Sequence, residues 1–222
     1  MNIIKSHEVD DRTSKWNDQM YKKTPTPYDG FAGVFEKSRV KKILNLAEIH
    51  FNESVLEIGC ESGNLLSQIF NAKRIVGLDI SELALKDAYE KCNKTPVELF
   101  KHDATEPLPF DKGEFDVIIC SEVLEHVVDP KKVLNNIQNI STNKTRILVS
   151  IPLELINISI KKVLKIFGLM NILFPNIPQG ASDWHLHNFS KKMLHNLIDE
   201  KFIILDDCYV FVNHYIAYLK KR

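Results

Sequence analysis

The 222 residues carry no net charge: Lys and Arg together number 29, and so do Asp and Glu. Without an overall positive field the chain has no general means of holding a phosphate backbone, so nucleic acid is not an expected partner. Cysteine is sparse and scattered. Cys60, Cys92, Cys120 and Cys208 form no Cys-x-x-Cys pair and no Cys/His cluster at zinc-ligand spacing. That argues against a structural metal and for a reduced, cytoplasmic protein. Long apolar runs are also missing, because the longest, Leu153 to Phe174, is broken by Glu154, Lys161, Lys162 and Lys165. A membrane span is therefore not expected. The first residues reach charge after two apolar positions, too short a stretch for a signal peptide.

What is present is an alternation. Short apolar runs lie at Val55–Ile58, Arg74–Ile80, Val97–Phe100, Phe115–Cys120 and Thr145–Ile151, separated by segments of helical periodicity. Phe35, Val40, Ile43, Leu44 and Ala47 recur at helical spacing in a first helix from Phe31 to Ile49, with Lys37, Arg39, Lys41 and Lys42 between them. Ser81 is a plausible N-cap for a helix reaching about Cys92, and Asp129 followed by Pro130 opens another to about Ile140. Strands that are apolar throughout and alternate with helices predict a parallel sheet covered on both faces. Right-handed crossovers make it doubly wound, with ligands at the carboxyl ends of the strands.

The chain changes character at its ends. Residues 1 to 30 are polar and finish in Thr24-Pro-Thr-Pro-Tyr-Asp-Gly30, which reads as a loop with at most a short helix before it, so that the segment is a tail or an N-terminal helical lid. A helical cap is expected at about 152–184: within it Ile156, Ile160, Val163, Leu164, Phe167 and Phe174 share one helical face, away from the three lysines. Such a stretch caps the pocket mouth, or admits a lipid-like acceptor while resting on a membrane surface. Ser190 caps a last helix, and Phe202–Leu205 and Cys208–Leu219 read as a closing antiparallel pair.

Chemistry-bearing residues collect at the strand ends. Val55-Leu-Glu-Ile-Gly-Cys-Glu-Ser-Gly-Asn64 reads as a strand, a glycine turn and a helix starting at Asn64 and running through Phe70. Asp79 follows Gly59 by twenty residues, the spacing at which a carboxylate accepts both hydroxyls of a ribose; a turn aspartate capping the next helix is the plainer use. His102-Asp103-Ala104 and Ser121-Glu122 end the next two strands. Dinucleotide binding prefers Gly-x-Gly-x-x-Gly, whereas these glycines are four apart with Cys60 and Glu61 between them.

Together with Val76-Gly-Leu-Asp-Ile-Ser81, Asp103-Ala-Thr-Glu-Pro-Leu-Pro-Phe110 and Phe115-Asp-Val-Ile-Ile-Cys-Ser-Glu-Val-Leu-Glu-His126, the opening motif resembles the class I S-adenosylmethionine-dependent methyltransferases. Within them it is similar to the small-molecule branch that includes ubiquinone and menaquinone methyltransferases, over roughly residues 40 to 150. The resemblance implies a doubly wound, mostly parallel seven-stranded sheet with the last strand antiparallel, and S-adenosylmethionine as cofactor. It implies that Glu57, Gly59, Cys60 and Gly63 carry the amino acid end of the cofactor and Asp79 the ribose. Ile80, Asp103 and Ala104 would hold the adenine, while Ser121 and Glu122 flank the methyl group. The family usually has a second glycine where this chain has Glu61, and often a Pro-Gly-Gly turn where it has Ser141 to Thr145.

Because the sulfonium is already activated, the protein mainly supplies alignment, exclusion of water and sometimes a base. Candidate bases are His126, His185, His187, Glu122 and Glu125, with His185, His126 and Glu122 preferred. His126 serves equally well as a residue holding a helix turn. His185 and His187 share a face if extended, yet no third residue is placed by the sequence to make them a metal site. The expected function is methyl transfer to a small-molecule acceptor. A catalytically silent cofactor-binding subunit and an aminopropyl-type transferase on the same fold are alternatives.

Overall fold

A computed structural model describes residues 3–5, 11–23, 30–153, 185–198, 200–211 and 213–222. The chain-order elements are strand β1 (Ile3–Lys5) and helices α1 (Asp11–Lys23) and α2 (Gly30–Ala47), then β2 (Ser54–Ile58), β3 (Arg74–Asp79), α3 (Glu82–Lys91) and β4 (Val97–Lys101). They continue with β5 (Val117–Ser121), α4 (Pro130–Ile140), β6 (Arg146–Pro152), helix α5 (Lys191–Ile198), β7 (Phe202–Val210) and β8 (His214–Lys221). The expected cap falls, over 154–184, outside the described residues.

The strands form one sheet in the order β1-β4-β3-β2-β5-β6-β8-β7, in which β8 is antiparallel to both its neighbours. Strand order reverses between β2 and β5, which pair side by side with Ile58 opposite Cys120. A crevice therefore opens outside their carboxyl ends. Alternating residues feed two cores. Leu56, Ile58, Ile118 and Ile147 face one way, with Val133, Leu134 and Ile137 of α4 and Leu194 of α5. Val55, Ile75, Ile119 and Leu148 face the other, with Val40 and Ile43 of α2 and Leu85 and Ala88 of α3. Glu57, by the same alternation, stands on the α2 face.

Four expectations are corrected. The sheet has eight strands among the described residues, because Ile3–Lys5 adds a parallel edge beside β4; three residues are too few to register as a run. Residues 11–23 form a full helix, and the stripe that docks it is polar: Ser14, Asp18 and Tyr21, spaced i, i+4, i+7, reach Ile80, Ser81 and Asp87. A search for apolar periodicity passes over such a stripe. No long helix follows the glycine turn. Only a single 3₁₀ turn, Leu66–Gln68, forms there, because Gln68 Nε2 and Ser67 Oγ take the Asn64 carbonyl at 2.9 and 3.3 Å while backbone Gln68 and Ile69 bond three residues back. Finally, Cys208 belongs to β7, and Phe211, just past the end of that strand, is left-handed at φ +51°. Asp206 and Asp207 suggest a break, but the strand passes through them with a register irregularity between Ile204 and Asp206.

Candidate functional site

The turn after β2 is held by backbone. Gly59 and Cys60 N–H both donate to the Leu78 carbonyl, at 2.7 and 3.0 Å, folding the chain onto β3, and Gly63 N–H donates to Cys60 O at 2.8 Å. Gly59, Glu61 and Gly63 are left-handed at φ +72°, +46° and +73°. A side chain at Gly59 would run into Val123, and one at Gly63 would sit 3.1 Å from Ala88 of α3, so close packing demands both glycines. The Cys60 thiol is buried beneath the turn, leaving only its backbone to face a ligand.

Asp79 ends β3 and organises the rim. One carboxylate oxygen accepts Glu61 N–H at 2.9 Å, the other Ser81 N–H at 2.8 Å. Burial pushes its carboxyl up, against the backbone donors Ser81, Glu61 and Ile80 that favour the charge. Ser81 caps α3 through Ala84 N–H as expected, and its hydroxyl donates to Asp18 of α1 at 2.6 Å. Ser14 Oγ donates to Ile80 O at 3.2 Å, so α1 lies across the β3–α3 connection. At the end of β4, Asp103 Oδ1 accepts Thr105 N–H and hydroxyl, at 2.8 and 2.7 Å. Asn136 of α4 pins that loop by donating to Ala104 O and Glu106 O, at 2.9 and 2.7 Å.

Beyond the switch point the contacts are between side chains. Ser121 and Ser150 hydroxyls lie 2.8 Å apart, and Ser150 Oγ donates to Glu122 Oε1 at 3.0 Å. His214 Nε2 stands 3.5 Å from Glu122 Oε2 and 3.5 Å from Glu36 Oε1. Arg39 closes the ring by bonding both Glu36 and Ser121. Arg39 stands among Lys37, Lys41 and Lys42 in the sequence, yet it is only 8% exposed. His214 is 5% exposed, and its Nδ1 has no hydrogen-bond partner among the described residues. Glu122 itself is left-handed, at φ +56°.

A second polar group lies just downstream of Glu122. The His126 and His185 rings meet edge-on with centroids 4.9 Å apart, and His126 Nε2 is 3.8 Å from Glu125 Oε1. Leu186 N–H and His187 N–H both reach Glu125 O, tying the two loops together. Two of the expected bases, His126 and His185, are thus neighbours. His187 is not with them: its Nε2 bonds Val127 O at 2.9 Å. Glu125, His126 and His185 each offer one ligand atom within 4.8 Å of the others, geometry that can hold a divalent cation. The pair weighed from the sequence, His185 with His187, does not form this cluster; His126 and Glu125 stand beside His185 instead.

The family described as "Methyltransferase domain" matches residues 49–201. The chain belongs to this family, in its class I, S-adenosylmethionine-dependent form. Among curated relatives, it is 39% identical to the ubiquinone biosynthesis O-methyltransferase of Thiobacillus denitrificans over 87 residues, which cover 37% of this chain and 37% of that one. It thus spans little more than a third of that relative. With the Rickettsia bellii protein of the same description it shares 26% identity over 227 residues, covering 87% of this chain and 89% of the relative. In fold it is similar to the magnesium protoporphyrin IX methyltransferase of Synechocystis solved with bound S-adenosylhomocysteine, with TM-score 0.66 and 18% identity over 96% and 97% of the two chains.

The residues of this methyltransferase domain fit the cofactor of the class. Glu57 is buried on the α2 face with Oε2 lacking a hydrogen-bond partner among the described residues; burial pushes its carboxyl well up, with the Arg39 charge opposing, so an arriving ammonium would be what favours its ionised, accepting form. The Asp79 carboxylate accepts Glu61 N–H on one oxygen and Ser81 N–H on the other, with Ile80 N–H as a further backbone donor, and its roughly four lone-pair sites leave room for a hydroxyl. The sequence left Arg39, Asn136, Ser150 and His214 unread. Asn136, an amide on the buried face of an amphipathic helix, was the one with a signal. Among the described residues no helix is long and apolar enough to cross a membrane.

Proposed function

We propose that this protein transfers the methyl group of S-adenosylmethionine to a small-molecule acceptor at the crevice between β2 and β5. The observation that carries this is the convergence, at the switch point of a methyltransferase-family sheet, of the left-handed glycine turn, Asp79 and the Glu122 loop. Bound cofactor supplies a methyl group already activated on sulfur. The chain's residues hold and orient it: Gly59, Cys60 and Gly63 through backbone beneath the amino acid end, Glu57 through its unpartnered oxygen, and Asp79 at the ribose. Ile80, Asp103 and Ala104 flank the adenine. Residues up to 30 act as a lid, for which α1 bonded to Ile80 and Ser81 is the support.

Ser121 and Glu122 line the acceptor side. A hydroxyl or amine acceptor loses its proton to His185, oriented by the His126 ring, or to the Glu122 carboxylate. Val128 and Leu186, both at least half exposed, are apolar surface beside these histidines and suit a hydrophobic acceptor. The relatives named for ubiquinone biosynthesis favour the same class. Peripheral membrane contact through residues 153–174 belongs to this reading; co-sedimentation with anionic liposomes supports it, and indifference to them removes it. A silent cofactor-binding subunit is the second reading, favoured by Glu61 in the place of a family glycine. The deciding test is incubation with isotopically labelled S-adenosylmethionine and a cell extract of small molecules. S-adenosylhomocysteine and a labelled acceptor are expected; cofactor binding without either product favours the silent subunit.

A further inference from the structure

Glu125, His126 and His185 gather where two loops cross. Glu125 and His126 lie on the loop after β5, and His185 begins the segment that leads into α5. Backbone fixes the crossing, because Leu186 N–H and His187 N–H both donate to Glu125 O, at 2.8 and 3.3 Å. One ligand atom from each of the three side chains lies within 4.8 Å of the other two, and His126 Nε2 is 3.8 Å from Glu125 Oε1. Around a four-coordinate zinc with bonds of about 2.1 Å, ligand atoms stand about 3.4 Å apart. Modest rotations of the two imidazoles, both partly exposed, close the set to that size. Neighbouring donors are committed: His187 Nε2 to the Val127 carbonyl, and Glu122 to Ser150 with His214 beside it. Glu125, by contrast with the imidazoles, is fully buried. A buried carboxylate calls for a paired cation or a metal. An imidazolium at His126 meets that need at 3.8 Å, whereas a cation shared by both rings meets it with the rings neutral and all three donors in use.

We propose that Glu125, His126 and His185 form a binding site for a divalent cation of the zinc class. Two imidazoles and one carboxylate suit zinc and its transition-metal neighbours, while magnesium and calcium prefer oxygen throughout. Three protein ligands leave a position open to water or to an oxygen of a bound molecule, the pattern of catalytic rather than structural zinc sites. The partly exposed histidines keep that position within reach of solvent. The site stands on its own geometry; its use by an acceptor oxygen rests on the methyl-transfer reading above. Where the cation is bound His185 is a ligand rather than a base, so of the two proton acceptors named there Glu122 remains.

The test is calorimetric titration of Zn²⁺, and separately of Mg²⁺, into the chelator-treated full chain without cofactor. It compares the wild type with Glu125→Gln, His126→Ala and His185→Ala, each checked for folding by circular dichroism. One equivalent of Zn²⁺ is expected to bind the wild type at least tenfold more tightly than Mg²⁺, and each substitution is expected to weaken it at least tenfold. Co²⁺ gives a second readout, a visible absorption band in the wild type that His185→Ala abolishes. The two histidine variants, at partly exposed positions, keep the test decisive if the buried Glu125→Gln does not fold. No stoichiometric Zn²⁺ binding, Mg²⁺ bound as tightly as Zn²⁺, or Zn²⁺ binding undiminished in the folded histidine variants overturns the site. A parallel titration with S-adenosylmethionine separates the two readings. Cofactor binding without a zinc site removes this inference alone, and zinc binding without cofactor upholds the site while removing its link to methyl transfer.

Discussion

The two halves of the crevice are built by different means. On the β2–β3–β4 side, backbone does most of the work: two left-handed glycines, paired N–H donations to Leu78 O, and Asp79 clamped by the N–H groups of Glu61 and Ser81. On the β5–β6–β8 side the geometry belongs to side chains brought together from four elements, with Glu36 and Arg39 meeting Ser121, Glu122, Ser150 and His214. A backbone cradle suits a ligand that never changes. A ring of side chains can be altered one residue at a time, which suits an acceptor that differs between relatives. The split predicts that substitutions in one half change binding of the cofactor and substitutions in the other change turnover.

The largest effect that would break this comparison is at Glu122. Replacement by Gln keeps the shape and removes the charge that faces His214, so turnover should fall by about a hundredfold with the cofactor dissociation constant unchanged within about twofold. A lowered melting temperature with normal turnover would instead make the ring a structural device. Next comes Gly59→Ala, where a methyl group meets Val123 and a positive φ is forced on alanine. A loss of about 2 kcal/mol in unfolding free energy is expected by denaturant titration, together with weakened cofactor binding. Asn136→Ala should cost about 1–2 kcal/mol, because the carbonyls of Ala104 and Glu106 lose their amide donor. Its effect on cofactor binding should be mild, since the Asp103 side chain keeps its own bonds to Thr105.

The same division explains what the sequence disclosed. The strands, the caps at Ser81 and Asp129, and the polar stations at the strand ends are local patterns, set by neighbours a few residues apart. Asp79 could be found by counting from Gly59. The ring around His214 could not, because Arg39 lies 82 residues from Ser121 and its neighbours Lys37, Lys41 and Lys42 suggest a solvated face. The helix expected after Asn64 failed for a local reason that pattern reading undervalues: Gln68 and Ser67 compete for the carbonyl that a continuing helix needs. With only one 3₁₀ turn there, the cradle relies on its own turn and on Asp79 rather than on a helix dipole. That puts more weight on Asp79 than in a site with a full helix behind the glycines.

Asp79 is therefore where the central claim is most directly tested, by calorimetric titration of S-adenosylmethionine into the wild type and Asp79→Ala, with circular dichroism to confirm that the variant is folded. One-site binding to the wild type and at least tenfold weaker binding to the variant are expected, the loss of hydrogen bonds to a charged acceptor being worth about 1.5–3 kcal/mol. Equal affinity in the two proteins, or no binding to the wild type, would contradict it.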